Sequence, residues 1–131
     1  MDRTFTRLRE VIAAGLLVFT SLTLALPVRA QSDDASQREI TALLSFVAHS
    51  PCTFIRNGTA YPATQAEGHL EDKLHYLQRK DKVHSAEDFI QLAATESSIS
   101  GKPYLVRCDG KEQPSADWLN EELRRLRNAG G

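Results

Sequence analysis

The chain has 131 residues, with 16 lysines and arginines against 17 aspartates and glutamates. That length holds one domain and no more. A near-neutral balance, with Arg124, Arg125 and Arg127 as its one late basic group, excludes the clustered positive surface that a nucleic-acid binder needs.

Residues 1–30 read as a secretory signal peptide. Arg3, Arg7 and Arg9 make a basic start, residues 11–26 are an apolar run, and Pro27-Val28-Arg29-Ala30 puts small residues at the two positions a signal peptidase reads. Cleavage is expected after Ala30. The apolar run falls short of the roughly 20 residues that cross a bilayer, and no cysteine near it offers a site for lipid attachment. The expectation is therefore a released protein with no membrane anchor after cleavage. Residues 31–131 carry three more acidic than basic side chains. They also hold both cysteines, Cys52 and Cys108, and in an oxidising compartment an isolated pair is most simply a disulfide. There is no CxxC spacing to lower a thiol pKa, and no spaced histidine to complete a metal site.

Residues 31–35 are polar and read as a flexible lead-in to a single domain over 36–128. Ser36-Gln37-Arg38-Glu39 has the form of a capping box, with Ile40, Leu43, Leu44 and Val47 following at helical spacing until Pro51. Thr53-Phe54-Ile55-Arg56 is a short β-prone run before the turn signal Asn57-Gly58. Thr64 and Glu67 predict a second capping box, opening a helix with Ala66, Leu70, Leu74 and Leu77 inward. Ser85 and Asp88 start a third helix, with Ala86, Phe89, Ile90 and Ala93 on its inner face. The hydroxyl-rich run Ser97-Ser98-Ile99-Ser100-Gly101 favours a turn. Residues 104–108 read as a strand closed by Asp109-Gly110. Pro114-Ser115 introduces a last helix holding Trp118, Leu119, Leu123 and Leu126.

Four helices packed around a short two-stranded antiparallel sheet, with one disulfide, make an α+β domain. Setting Cys52 opposite Cys108 predicts the register: Phe54 faces Val106 and Arg56 faces Tyr104, while Ile55 pairs with Leu105 and Thr53 with Arg107. Apolar residues on both strand faces predict helices on both faces.

Four motifs occur here in order: Phe54-Ile55-Arg56-Asn57-Gly58, His69-Leu70 with Lys73, Ala86-Glu87-Asp88-Phe89-Ile90, and the run from Ser97 through Gly101-Lys102-Pro103-Tyr104. Over residues 40–126 the series resembles the YfeK-like family of small exported bacterial proteins of unknown function. The resemblance implies a Gram-negative periplasmic protein and implies no activity.

Candidate binding residues fall in three places. His69, Lys73 and Tyr76 share a helix stripe about a quarter turn from the apolar face, where side chains reach both a pocket and water; the plainer alternative is a buttressing boundary stripe. Ser97, Ser98 and Lys102 belong to a turn whose amides could cradle a small anion or a peptide carboxylate, or could simply end a helix. Arg56 and Asn57 close a strand, where Arg56 either stacks on Tyr104 or binds an acidic ligand.

Nothing in the spacing gives a serine near His69 both a base and a group to orient it, and the four histidines His49, His69, His75 and His84 are scattered. The reading is an exported, non-enzymatic module that binds a periplasmic protein or small ligand and needs no cofactor or metal. One alternative is a small hydrolase using Ser98 or Ser97 with His69. The other is an envelope-stress or inhibitor-like protein acting through an edge strand along residues 53–56 or 104–108.

Overall fold

Two Asx-Gly turns organise the sheet. Asn57 and Gly58 have φ of 50° and 77°, and Asp109 and Gly110 have 51° and 77°. Two successive positive φ values are what a type I′ hairpin needs, and its twist returns each strand alongside the one before it. The computed structural model describes residues 28–130. Over these residues the chain runs α1 (Val28–Ala48), β1 (Thr53–Arg56), β2 (Thr59–Tyr61), α2 (Ala63–Arg79), α3 (Ala86–Ala93), β3 (Leu105–Cys108), β4 (Lys111–Pro114) and α4 (Ser115–Ala129).

The sheet has four antiparallel strands in the order β2-β1-β3-β4, not two. Each turn carries its chain back into a further strand, β2 after Asn57-Gly58 and β4 after Asp109-Gly110. The central pair follows the expected register, with Thr53 opposite Arg107, Phe54 opposite Val106 and Ile55 opposite Leu105. Cys52 and Cys108 are bridged just beyond it, their Cα atoms 4.6 Å apart.

The element order is a helix–hairpin–helix unit laid down twice, α1β1β2α2 and then α3β3β4α4. One constant step in number relates Asn57 to Asp109, Gly58 to Gly110 and Pro62 to Pro114. The same step relates Phe54 to Val106, which are also paired across the ladder. An approximate twofold axis therefore passes between those two residues, and the sheet is symmetric about the β1–β3 seam.

One face of this sheet is the core face. Phe54 and Val106 are buried there among Leu43, Val47, Phe89, Leu119 and their neighbours from all four helices. Trp118 joins the layers, stacking on Phe46 at 4.3 Å and meeting Phe54 edge-on at 5.6 Å. The opposite face is open. The groove over Ile55 and Leu105 is lined by Asn57, Pro103, Arg107 and Glu112, with no helix residue. Helices on both faces are thus not what forms: Ile55 and Leu105 stay half-buried in a groove lined by strand and loop residues.

The helix starts differ from the capping-box reading in two of three cases. Ser85 caps α3 as expected, accepting from the Asp88 amide at 3.0 Å, while Asp88 Oδ2 accepts from the His84 amide at 2.9 Å. At α2 the Thr64–Glu67 box is unused, because Pro62 is the cap and its carbonyl accepts from the Gln65 and Ala66 amides. At α1 the helix runs straight through residues 31–35, so this stretch is helical rather than a flexible lead-in. Ser36 there spends its hydroxyl on the carbonyls of Ser32 and His84 instead of capping. The basic and apolar parts of the expected signal peptide lie outside the described residues, and the expected cleavage point after Ala30 falls in the first turn of α1. No helix among the described residues is long and apolar enough to cross a membrane.

Helices α1, α3 and α4 are tied by one arginine. Arg127 grips Glu39 through Nε at 2.8 Å and Nη2 at 2.9 Å, and reaches Glu87 through Nη1 at 2.6 Å.

Candidate functional site: a cationic rim on an apolar slot

A narrow cavity of about 40 Å³ opens between the helices and the end of the β1–β3 ladder. Val47, Phe54, Leu70 and Leu119 give it apolar walls, and Arg56, Tyr61, His69 and Tyr104 stand around it as well. It exceeds the ~10–15 Å³ that holds a water but is far below the ~150 Å³ that takes a benzene ring. Its lining offers a water few partners.

Three elements bring the polar rim together. Arg56 ends β1, one step beyond the Ile55–Leu105 pair, which sets it across the ladder from Tyr104. Lys73 comes from the middle of α2. Its ammonium donates to the backbone carbonyl of Glu96 at 2.9 Å and to the Tyr104 hydroxyl at 3.4 Å, and lies 5.0 Å from the Tyr104 ring centre. Arg56 lies over the Tyr61 ring at 5.6 Å, and His69 meets the same ring edge-on at 5.5 Å. Arginine stacking thus occurs on Tyr61 instead of Tyr104, because β2 carries Tyr61 to the row of Phe54.

The electrostatics follow from this crowding. Burial, and then the neighbouring Arg56 charge, hold the Lys73 ammonium below the usual lysine range, with Glu96 pulling the other way. Burial pushes the Tyr104 phenol up, and Arg56 beside it works against that. Among the described residues neither Arg56 nor Lys73 has a carboxylate within 4.0 Å; the carboxylates that pair with arginines are taken by Arg107, Arg125 and Arg127.

The turn at 97–102 abuts this rim but is closed on itself. Ser97 is buried, and its hydroxyl accepts from Asn57 Nδ2 at 3.3 Å and from the amides of Ile99 and Ser100. Gly101 donates its amide to the Ser97 carbonyl, Ser97 donates to the Lys102 carbonyl, and Lys102 donates to Ser100 Oγ. Ser100 Oγ also donates to Asn57 Oδ1. These amides are spent within the turn, which leaves a cradle for an anion short of donors. Ser98 and the Lys102 side chain are exposed.

Arg56, His69 and Lys73 are therefore brought together, Asn57 and Ser97 buttress them, and Ser98 and Lys102 stand outside. Tyr76 leaves the stripe for solvent, 55% exposed, with Lys80 at 6.0 Å from its ring. Tyr61 is the member that sequence reasoning missed. Its signal was the Asn57-Gly58 turn, which places Tyr61 on a returning strand.

Neither serine of the hydrolase alternative is bonded to His69: the Ser97 hydroxyl faces amide donors, Ser98 is exposed, and among the described residues His69 makes a ring contact and no hydrogen bond. The strands named for an edge-binding mode are both interior, since β1 lies between β2 and β3 and β3 lies between β1 and β4. Among the described residues, no three His, Cys, Asp or Glu side chains gather as a metal site would require.

Fold and rim together define a small disulfide-bridged α+β domain built from two like halves, with one polar-rimmed slot at the seam. The chain belongs to the DUF5329 family of unknown function, whose model matches residues 34–127. It is also 38% identical over 85 residues to the uncharacterized protein YfeK of Salmonella typhimurium strain LT2, covering 64% of this chain and 69% of that protein. No solved structure matches it.

Proposed function

We propose that the protein is an exported, non-catalytic binding module that works in the periplasm and takes an anionic group at the Arg56–Lys73–Tyr104 rim. The observation that carries this reading is the convergence of two cations on one phenol with, among the described residues, no carboxylate within 4.0 Å of either. Two like charges held together at a half-buried site repel one another, and an anion from outside relieves that cost. Export is supported by the basic–apolar–small pattern of residues 1–30 and by a cysteine pair that is bridged, with no free thiol among the described residues.

Titration of the isotope-labelled protein with sulfate and, separately, with acetate at constant ionic strength tests the site. The Tyr61, His69 and Tyr104 ring signals are expected to shift, and Arg56→Gln or Lys73→Met is expected to abolish the shifts. Unchanged spectra would remove the rim as a binding site. Amino-terminal sequencing of protein from the periplasmic fraction is expected to begin at Gln31, and an intact Met1 terminus would count against export.

A further inference from the structure

We infer that the ligand of this rim is a carboxylate carried on a short aliphatic group, either a small free acid or the C-terminal residue of a peptide. This inference rests on the anion-binding reading and adds the slot behind it. Two observations fix the class.

The first is charge. Lys73 and Arg56 supply two positive charges, and Glu96 acts on Lys73 through space with one negative. Glu96 offsets only part of this pair, so the excess lies between one and two charges: a monoanionic carboxylate stays within it and a phosphate monoester dianion overshoots it. Lys73 has already committed two of its three N–H donors, to the Glu96 carbonyl and the Tyr104 hydroxyl. What remains is one lysine donor and the flat arginine fork, and a planar carboxylate suits that fork.

The second is the slot. The cavity at the rim has walls from Val47, Phe54, Leu70 and Leu119 and a volume of about 40 Å³. Water gains little there, whereas an alkyl tail of two or three carbons fills it. A ligand that joins the two features has its charged head against Arg56 and Lys73 and its tail directed inward.

The test compares acetate, propionate and butyrate on the full chain with its disulfide formed, read by the Tyr61, His69 and Tyr104 ring signals. Affinity is expected to rise about tenfold from acetate to butyrate, as two buried methylenes imply. Butyramide, which lacks the charge, and butylamine, which carries the opposite one, are expected not to bind. Ala66→Leu, which narrows the slot from α2, is expected to erase the gain from chain length and leave acetate unchanged. Lys73→Met is expected to weaken butyrate by about tenfold or more, with the melting temperature showing that the variant is folded.

A peptide ending in valine, as free acid and as amide, separates the two sources. Binding of the free-acid peptide above that of isobutyrate assigns a peptide terminus, the reverse assigns a free acid, and both support the inference. Equal affinity for acetate and butyrate, or equal binding of the amide peptide, overturns it. If sulfate shifts the rim while the acids show no dependence on tail length, the anion site stands and this inference falls. If no anion shifts the rim, both fall together.

Discussion

Arg56 and Tyr104 face one another at one end of the β1–β3 ladder, and Cys52 and Cys108 occupy the matching position at the other end. The relation is set by the register, in which Phe54 pairs with Val106 at the centre and each neighbouring pair lies one step further out. One end of the seam is closed by a covalent bond between the halves. At the other, Arg56 stands beside Tyr104, and the Tyr104 hydroxyl accepts from Lys73 of α2. The chemistry of the domain has collected at the end that is not bonded shut.

The bonded end makes the first prediction. The bridge closes a separation of 56 residues, for which the loss of unfolded-chain entropy amounts to about 4 kcal/mol. The double variant Cys52→Ser, Cys108→Ser is expected to lose roughly 2–5 kcal/mol in urea unfolding and to keep its circular dichroism. A loss well under 1 kcal/mol would show that the bridge holds nothing the ladder does not already hold.

Asn57 combines a left-handed backbone with side-chain bonds to Ser97 and Ser100. Asn57→Ala is expected to cost about 1–3 kcal/mol, because alanine resists the positive φ and the turn loses both partners. Asn57→Gly keeps the backbone and removes only the bonds, so it is expected to cost less while raising amide exchange at residues 97–101. Equal costs for the two variants would mean that only the hairpin geometry matters.

Lys73 sets a pH dependence whose sign is fixed by burial. Its folded pKa lies below the unfolded value, so between the two values the unfolded chain binds more protons and stability rises with pH. Anion binding moves the opposite way, falling as the ammonium is neutralised. Heteronuclear titration of the Lys73 side chain is expected to show a midpoint below that of the exposed lysines. Arg56→Gln is expected to move it up, and an unmoved midpoint would detach the two cations from one another.

Arg127 is expected to matter for stability and not for binding. Its two carboxylate partners join α1, α3 and α4 at an exposed site, where a salt-bridge network contributes about 1 kcal/mol. Arg127→Met is expected to lose about that much and to leave sulfate shifts at the rim intact. The Arg127 hydrogen bond chiefly holds the Glu87 carboxyl below the usual glutamate range. Its stabilisation is therefore present above the ordinary carboxylate value and is lost as pH falls through the lowered one. Melting curves between neutral and acid pH check this, and the variant is expected to show a shallower acid decline.

The central ladder was legible in the sequence because a cysteine stands at one end of each run, Cys52 just before β1 and Cys108 closing β3, and the alternation of side chains does the rest. With Cys52 and Cys108 opposite, parity alone puts Phe54 against Val106. The outer strands were not legible: Thr59–Tyr61 is too short to show alternation, and Lys111–Pro114 is exposed along its whole length. They become strands because a type I′ turn leaves the chain nowhere else to go. Arg56, His69 and Lys73 could be named from rim position and charge. Their company with Tyr61 could not, since it depends on the strand that was missed. The 97–102 turn misled for a physical reason: hydroxyls and amides that look available in a sequence satisfy one another when the turn closes.

The seam also decides what a protease can do to the molecule. The halves are linked along the chain by residues 80–85, where Lys80, Asp81 and Lys82 are exposed, and across the seam by the Cys52–Cys108 bond. A tryptic nick after Lys82 severs α2 from α3 and still leaves one covalent particle, its four-stranded sheet stitched from two polypeptides. Only a reductant added after the nick would free the two hairpins from one another.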